Sequence, residues 1–474
     1  MPKDGKHIPP DMLSPRSARD KALIELAQML VRVPSVTALE ESALPVSAKT
    51  LDMMEDFVRN CGGTAQRMKF SGGHDKWDYP VDNLYAEWVI GDGGADATEK
   101  FLCYIGHTDV VPTGVRGEWS DDPFSGNIEE GWLRGRGITD MKGSVAAFAA
   151  AVQELVAESE DRNINIRIGI ILTTDEEWAA VNGTRKILDW MKKHGKNPDG
   201  FIVGEPSSQD EIGSHIKLGR RGSLCGTFTA KGVQGHAAYT ELFENPNRAL
   251  SLAMTILNAE EWRDGNAYFP DTNFEAVALQ SGDFKASAVI PDRAEALWNI
   301  RFTHKQTPEK LEKYIKERLA NPPDWAKKHP DAKKLKNITV TANTDTASVP
   351  YYSPPSALAK AAADAVKEIR GKAPVLDGSG GTTDGRFVQD YFPKAEVIEL
   401  GLPERGGLKE GGGRPDDYCQ KGGMHQIDER ARVSDILTLR DMFKQTLKNY
   451  AGGKKTAAEK TKHARHRSAS QRKR

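Results

Sequence analysis

A mainly parallel α/β sheet domain, interrupted by an inserted α+β domain of ferredoxin-like order, is predicted by three features of the 474-residue sequence. Through the first half, short apolar runs alternate with helical stretches, the rhythm of a parallel sheet covered on both faces. Between about residues 216 and 340 the order changes to β-α-β-β-α-β, a split βαβ arrangement. After Ser356 the first rhythm returns. The length also exceeds what one compact core usually supports. The expected organisation is a catalytic-type domain over 1–215, the insertion over 216–340, the rest of the first domain over 341–452, and a disordered basic tail over 453–474.

Residues 18–32 carry apolar groups at helical spacing until Pro34 stops the helix, and a second helix fits 47–60. Strand-like runs follow at 83–89, 100–105, 164–172 and 201–203, separated by the helical stretches SVAAFAAAVQELVAE and TRKILDWMKKH. In the insertion, Thr307 as N-cap and Pro308 at the first helical position mark a helix start. ALAKAAADAVKEIRG and AEVIELG then supply a helix and a strand of the first domain.

Hydrophobic residues at 38%, charged residues at 28% and a net charge of −1 give no overall bias toward nucleic acid or acidic membranes. The longest apolar stretch, near Val145–Val152, falls well short of the ~20 residues of a membrane span. Cys61, Cys103, Cys225 and Cys419 show no C-x-x-C spacing, and MPKDGKHIPPDM lacks an apolar signal segment. A cytoplasmic protein is therefore expected, with the sequons at Asn182 and Asn337 arising by chance. The lysine- and arginine-rich tail after Gly452 reads as a solubilising segment in preference to a nucleic-acid contact.

In parallel sheets, sites form beyond the carboxyl ends of the strands. Here YIG leads into His107, GIILTT into Asp175, Glu176 and Glu177, and FIVG into Glu205, while Asp140 sits in the glycine-rich turn GRGITDMKG and His425 follows a glycine-rich stretch. Acids beside apolar strand ends need a compensating partner, and carboxylates with imidazoles are the donors that Zn²⁺ and similar ions accept. His107, Asp140, Glu177, Glu205 and His425 are thus candidate metal ligands, with Asp140 able to bridge two cations. Two residues from His107 on an extended segment, Asp109 is placed to accept the second ring N–H of that histidine. Of the neighbouring acids Glu176 and Glu177, one can bind metal while the other holds the proton of an attacking water. His236 either donates to a developing oxyanion or caps a turn.

HTDVVPTG, GRGITDMKG, TTDEE, VGEPSS, GRRGS, GVQGHAAYTELFENP, NIRF and GGTTDGRF, in this order over residues 20–450, resemble the aminoacylase/carboxypeptidase G metallopeptidase superfamily, in its succinyl-diaminopimelate desuccinylase branch. The resemblance implies a di-zinc amide hydrolase with an inserted lid and dimerisation domain. One Zn²⁺ would be held by His107 and Glu205 and the other by Glu177 and His425, with Asp140 shared, although Co²⁺ or Mn²⁺ suits the same ligands. Glu176 would be general base and acid. His236 would reach the neighbouring subunit's site in a homodimer, and Arg220, Arg221, Tyr239, Arg301, Gly381 and Thr382 would bind a carboxylated N-acyl amino acid.

Three departures bear on the acyl group. Ala288-Val289-Ile290-Pro291 stands where that branch reads Asn-Val-Ile-Pro, the 403–423 loop is longer, and HQIDE replaces HKVNE. Lys409, Arg414 and Lys421 add positive charge to the loop.

Overall fold

The computed structural model describes residues 17–37, 48–72, 79–91, 100–158, 164–209, 211–404 and 422–452. The chain divides into two compact units. In the first, Ser17 caps helix α1 (Ala18–Val31): its hydroxyl accepts the Asp20 N–H and the Asp20 carboxylate accepts the Ser17 N–H. Helix α2 (Ala48–Asn60) precedes strands β1 (Thr64–Phe70), β2 (Val81–Ile90) and β3 (Lys100–His107). Helix α3 (Gly143–Ala157), strand β4 (Ile166–Thr173), helix α4 (Thr184–Lys193), and strands β5 (Gly200–Val203) and β6 (His215–Lys217) follow.

The second unit spans 217–352 and 376–386. It holds β7 (Gly222–Lys231), α5 (Pro246–Asn258), β8 (Asn273–Ser281), β9 (Arg293–Phe302), α6 (Pro308–Ala320) and β10 (Thr339–Ala342), in an antiparallel sheet of order β8-β9-β7-β10. Thr307 caps α6 through the Lys310 N–H, with Pro308 at the first turn. Alternating burial along β9 puts Trp298, Ile300 and Phe302 against α5 and α6. The sequence places the insertion's end at 340; the unit continues to Tyr352 and includes Leu376–Arg386, the stretch carrying Gly381 and Thr382.

The first unit resumes at Ser353 and holds α7 (Ala357–Arg370), β12 (Glu396–Glu399) and α8 (Val433–Ala451), with β11 (Val375–Asp377) at the boundary where the 376–386 stretch begins. Its eight-stranded sheet has the order β1-β2-β4-β3-β5-β12-β6-β11. Strand β3 runs parallel to β4 and β5, and β12 to β5, while β2 is antiparallel to both β1 and β4. The sheet is therefore mixed at one edge: an apolar run marks β2 as a strand but not its direction, and the polar TAQRMKF of β1 gives no apolar run. In the parallel centre β4 is buried along nearly its whole length, which explains its unbroken apolar sequence.

The alanines of α3 are buried from Ala146 to Ala151. Against this helix, Tyr104 stacks on Phe148 at 4.3 Å between ring centroids, and Phe443 of α8 meets both rings edge-on. Gly204, after β5, is held to glycine because a Cβ would collide with the Tyr104 hydroxyl. Among the described residues no helix is long and apolar enough to cross a membrane. The 453–474 tail and most of the 403–423 loop, including Lys409, Arg414, Cys419 and Lys421, lie outside the described residues.

Helices α3 and α8 are joined by a charge network in which Lys444 bridges Glu154 and Glu158 at 2.6 Å each, and Lys448 meets Glu158 at 2.7 Å. Partial burial raises the Glu158 pKa, but the two lysines outweigh this and hold it down to about 2. With the folded value below the ordinary 4.5, the stabilisation is present above about pH 4.5 and is lost as pH falls toward 2. The network keeps part of its surface in water, so solvent screening limits what the pairs contribute and Glu158→Gln should cost only about 0.5–1 kcal/mol at pH 7. Denaturant melts should show that difference shrinking by roughly pH 3; a gap independent of pH would contradict the assignment.

Candidate metal centre

Four of the five candidate donors follow strands or a glycine turn of the first unit. His107 ends β3, Glu177 and Glu205 come shortly after β4 and β5, and Asp140 lies in the turn before α3. That turn begins at Gly137, whose φ of 84° suits glycine and where a Cβ would strike Val110. His425 comes from a distant loop and adopts φ 61°.

Asp140 is the meeting point. Its Oδ1 lies 3.1 Å from His107 Nε2 and its Oδ2 lies 3.3 Å from His425 Nε2. Glu205 is 3.6 Å from His107 Nε2, and Glu177 is 3.2 Å from His425 Nε2. Two triplets result, His107–Asp140–Glu205 and Asp140–Glu177–His425, each with donor atoms within 4.8 Å of one another and each suited to a metal ion.

His107 Nδ1 lies 3.0 Å from the Asp109 carbonyl oxygen and 3.6 Å from its carboxylate. The expected pairing of the ring with the Asp109 carboxylate is thus replaced by pairing with its backbone. Since a carbonyl only accepts, a neutral ring carries its proton on Nδ1 and turns the Nε2 lone pair toward Asp140 and Glu205. The Asp109 carboxylate has another task. Fully buried, it accepts the backbone N–H of Glu176 at 3.1 Å and of Glu177 at 3.0 Å, fixing the turn that carries both acids.

The electrostatics fit a cation. Burial lowers the affinity of His107 for a proton, but Asp140, Glu205 and Asp109 override this and raise its pKa well above the usual value. Hydrogen bonds with Asp140 and Glu177 raise that of His425 to about 10. Desolvation, then the nearby Asp140 and Glu176 charges, push Glu205 up, and desolvation takes Asp109 to about 7. An excess of buried negative charge that holds protons on two imidazoles equally favours divalent ions that displace them.

Two supporting pairs escaped the sequence reading. Arg136 forms a buried ion pair with Glu429 at 2.6 Å, and the Tyr79 hydroxyl donates to Asp175, whose other carboxylate oxygen accepts the N–H groups of Val181 and Asn182. Arg136, Glu429 and Asp175 sit in motifs and Tyr79 does not, and sequence separations of 293 and 96 residues leave no spacing signal.

The remaining candidates all belong to the second unit. His236 and Tyr239 are exposed with ring centroids 5.4 Å apart, and His236 Nδ1 accepts the Ala238 N–H, so a neutral ring carries its proton on Nε2. Arg220 is buried and donates to the Ser379 carbonyl. Arg221 donates to the Asn273 side chain at 2.7 Å, Asn273 pairs in register with Arg301, and the Thr382 hydroxyl donates to the Arg221 carbonyl. Burial and the nearby Arg301 charge lower the Arg221 pKa. Gly381 borders open space.

Donors converging on a shared carboxylate at the ends of parallel strands, in a chain carrying an α+β second unit, define a hydrolase of the metallopeptidase class. The chain belongs to Peptidase family M20/M25/M40, whose sequence model matches residues 103–449. It is 37% identical to the succinyl-diaminopimelate desuccinylase of Rhodospirillum centenum (strain ATCC 51521 / SW), over 91% of this chain and 97% of that protein. The enzyme of the same name from Rhodopseudomonas palustris (strain BisB5) is 36% identical, over 92% and 99%. In fold, the chain is similar to the M20 family metallo-carboxypeptidase Sso-CP2 of Sulfolobus solfataricus (TM-score 0.62, 19% identity, covering 92% and 99% of the two chains). It is also similar to YXEP of Bacillus subtilis, a dinuclear metal binding peptidase (TM-score 0.56, 12% identity, 92% and 99%).

The role found for Asp109 is testable without any assay of activity. Asp109→Asn turns an amide donor toward backbone N–H groups and leaves a buried donor unmatched, at a cost of about 1–3 kcal/mol. Lower denaturant stability and faster amide exchange at Glu176 and Glu177 are expected. Unchanged exchange at both would show that the carboxylate does not fix the turn.

Proposed function

We propose that the chain is an amide hydrolase using two divalent cations, and that it removes succinate from N-succinyl-LL-2,6-diaminopimelate in the route to lysine and diaminopimelate. The observation that carries the first part is the division of Asp140, one oxygen facing His107 and the other His425. The relatives named as desuccinylases, matched over nearly their whole length, support the second.

In this reading His107, Asp140 and Glu205 hold one ion and Asp140, Glu177 and His425 the other. Zn²⁺ suits the mixed nitrogen and oxygen set, as do Co²⁺ and Mn²⁺. When bound, such a pair polarises the scissile carbonyl and eases deprotonation of the attacking water. Glu176 takes the water's proton and passes it to the departing amine. Its backbone, tied to Asp109, sets where that carboxylate starts from. His236, with its proton on Nε2, donates to the developing oxyanion. Arg220, Arg221, Arg301, Thr382 and the Gly381 backbone take the substrate carboxylates, with Tyr239 beside His236.

The protein is proposed to act in the cytoplasm as a homodimer through its second unit, His236 serving the neighbouring subunit's site. The edge strand β8 supports this pairing: it is exposed over most of its length, with Val277 at 58% and Leu279 at 63%. A second reading, a sibling deacylase or dipeptidase, is favoured by Ala288, which offers no side-chain amide to a succinyl group.

Metal content and turnover of wild type and Glu176→Gln test the proposal together. Wild type should hold two ions per chain and lose turnover, but not its fold, in chelator. Glu176→Gln should keep both ions and lose about 10²–10⁴-fold in kcat. Normal turnover by that variant removes Glu176 from its role. Across succinyl, acetyl and dipeptide substrates, succinyl-diaminopimelate should be preferred; a dipeptide preference selects the second reading.

A further inference from the structure

Behind the donors lies a buried ion pair whose hydrogen bonds reach no donor side chain, yet hold the backbone of two of them. Arg136 is 2% exposed and Glu429 is fully buried. One oxygen of Glu429 pairs with Arg136. The other accepts three N–H groups of the Asp140 turn: Gly137 at 3.1 Å, Thr139 at 3.0 Å and Asp140 itself at 3.4 Å. The guanidinium also donates to the carbonyls of Gln426 at 3.1 Å and His425 at 3.4 Å, and to that of Pro112, five residues past His107, at 3.3 Å. Trp119 packs over it with its ring 5.2 Å from the guanidinium carbon.

His425 needs such support. It sits in the left-handed region, which a histidine seldom adopts unaided, and its side chain is 44% exposed where the other four donors are largely buried. Glu429 anchors the same loop through its carbonyl, which accepts the Gly135 N–H, alongside Asp428, which accepts the Ser120 N–H and hydroxyl, and Met424, whose N–H donates to the Glu404 carbonyl. Gly135 and Arg136 lead directly into the Asp140 turn, so one ion pair fixes both sides of the 3.3 Å separation between His425 Nε2 and Asp140 Oδ2.

We infer that Arg136 and Glu429 are positioning residues that set the distance between His425 and Asp140 and thereby the affinity of the ion held by Asp140, Glu177 and His425, leaving the ion held by His107 and Glu205 largely unaffected. The inference rests on the proposal that these side chains are metal ligands. A planar fork is required, because it donates to a carboxylate and three carbonyls at once; lysine offers a point charge on a shorter reach. Groups that orient metal ligands from behind commonly change affinity by about 10- to 100-fold when replaced.

The test is calorimetric titration of the metal-free full-length protein with Co²⁺, comparing wild type, Arg136→Lys and Glu429→Gln, with His425→Ala identifying which binding step uses that histidine. Both variants should weaken that step by about 10- to 100-fold and leave the other within a few-fold. In the metal-free state, amide exchange should quicken at Thr139, Asp140 and the 422–428 loop. Wild-type affinities in the folded variants, or equal weakening of both steps, would overturn the inference. Should Arg136→Lys fail to fold, Glu429→Gln, which keeps volume and one acceptor oxygen, decides the matter alone. If wild type itself bound no Co²⁺, the metal-ligand reading would fail, and the exchange data would still judge whether the pair couples the two segments.

Discussion

The sharing of Asp140 between two imidazoles is the constraint around which the first unit is arranged. Each oxygen faces one histidine, and Glu205 and Glu177 complete the two triplets. Gathering acids in a buried place is costly unless positive charge is supplied, and the raised proton affinities of His107 and His425 report that demand. The fold meets the geometric half of the problem with strand ends. Three parallel neighbours, β3, β4 and β5, bring His107, the Glu176–Glu177 turn and Glu205 to one sheet edge.

Strand ends alone would leave these groups loosely aimed, and a second set of interactions removes that freedom. The Asp109 carbonyl orients the His107 ring while its carboxylate holds the backbone of Glu176 and Glu177. Asp175 holds Val181 and Asn182 and is itself met by Tyr79. Glu429 holds the turn of Asp140. In each case a buried carboxylate is satisfied by backbone N–H groups, so its desolvation is offset by hydrogen bonds that also restrict the chain. The packing of Tyr104 between α3, α8 and Gly204 extends the same rigidity to the sheet beneath Glu205.

Much of this was legible in the sequence, for a physical reason. An acid or histidine directly after an apolar run is a local signal that picks out His107, Glu177 and Glu205 as candidates, a glycine-rich turn or stretch marks Asp140 and His425, and the β-α-β-β-α-β order of the second unit followed from periodicity and from the Thr307-Pro308 start. Interactions set by the fold were not legible. The carboxylate of Asp109 turned to the Glu176 turn and left the ring to its carbonyl, because spacing along a strand fixes a side of the chain and not a partner. Strand direction in β2 and the membership of 376–386 in the second unit depend on contacts far apart in sequence. The Arg136–Glu429 pair is of the same kind, with both residues inside recognisable motifs and no local sign that they meet.

The central claim, that one aspartate is shared by two cations, is tested most directly by anomalous diffraction from crystals of the full-length protein grown with Zn²⁺ and measured on both sides of the zinc edge. Two peaks about 3.5–4 Å apart are expected, one on each oxygen of Asp140, the first also contacting His107 and Glu205 and the second Glu177 and His425. A single peak, or two peaks of which one lies out of reach of Asp140, would contradict it.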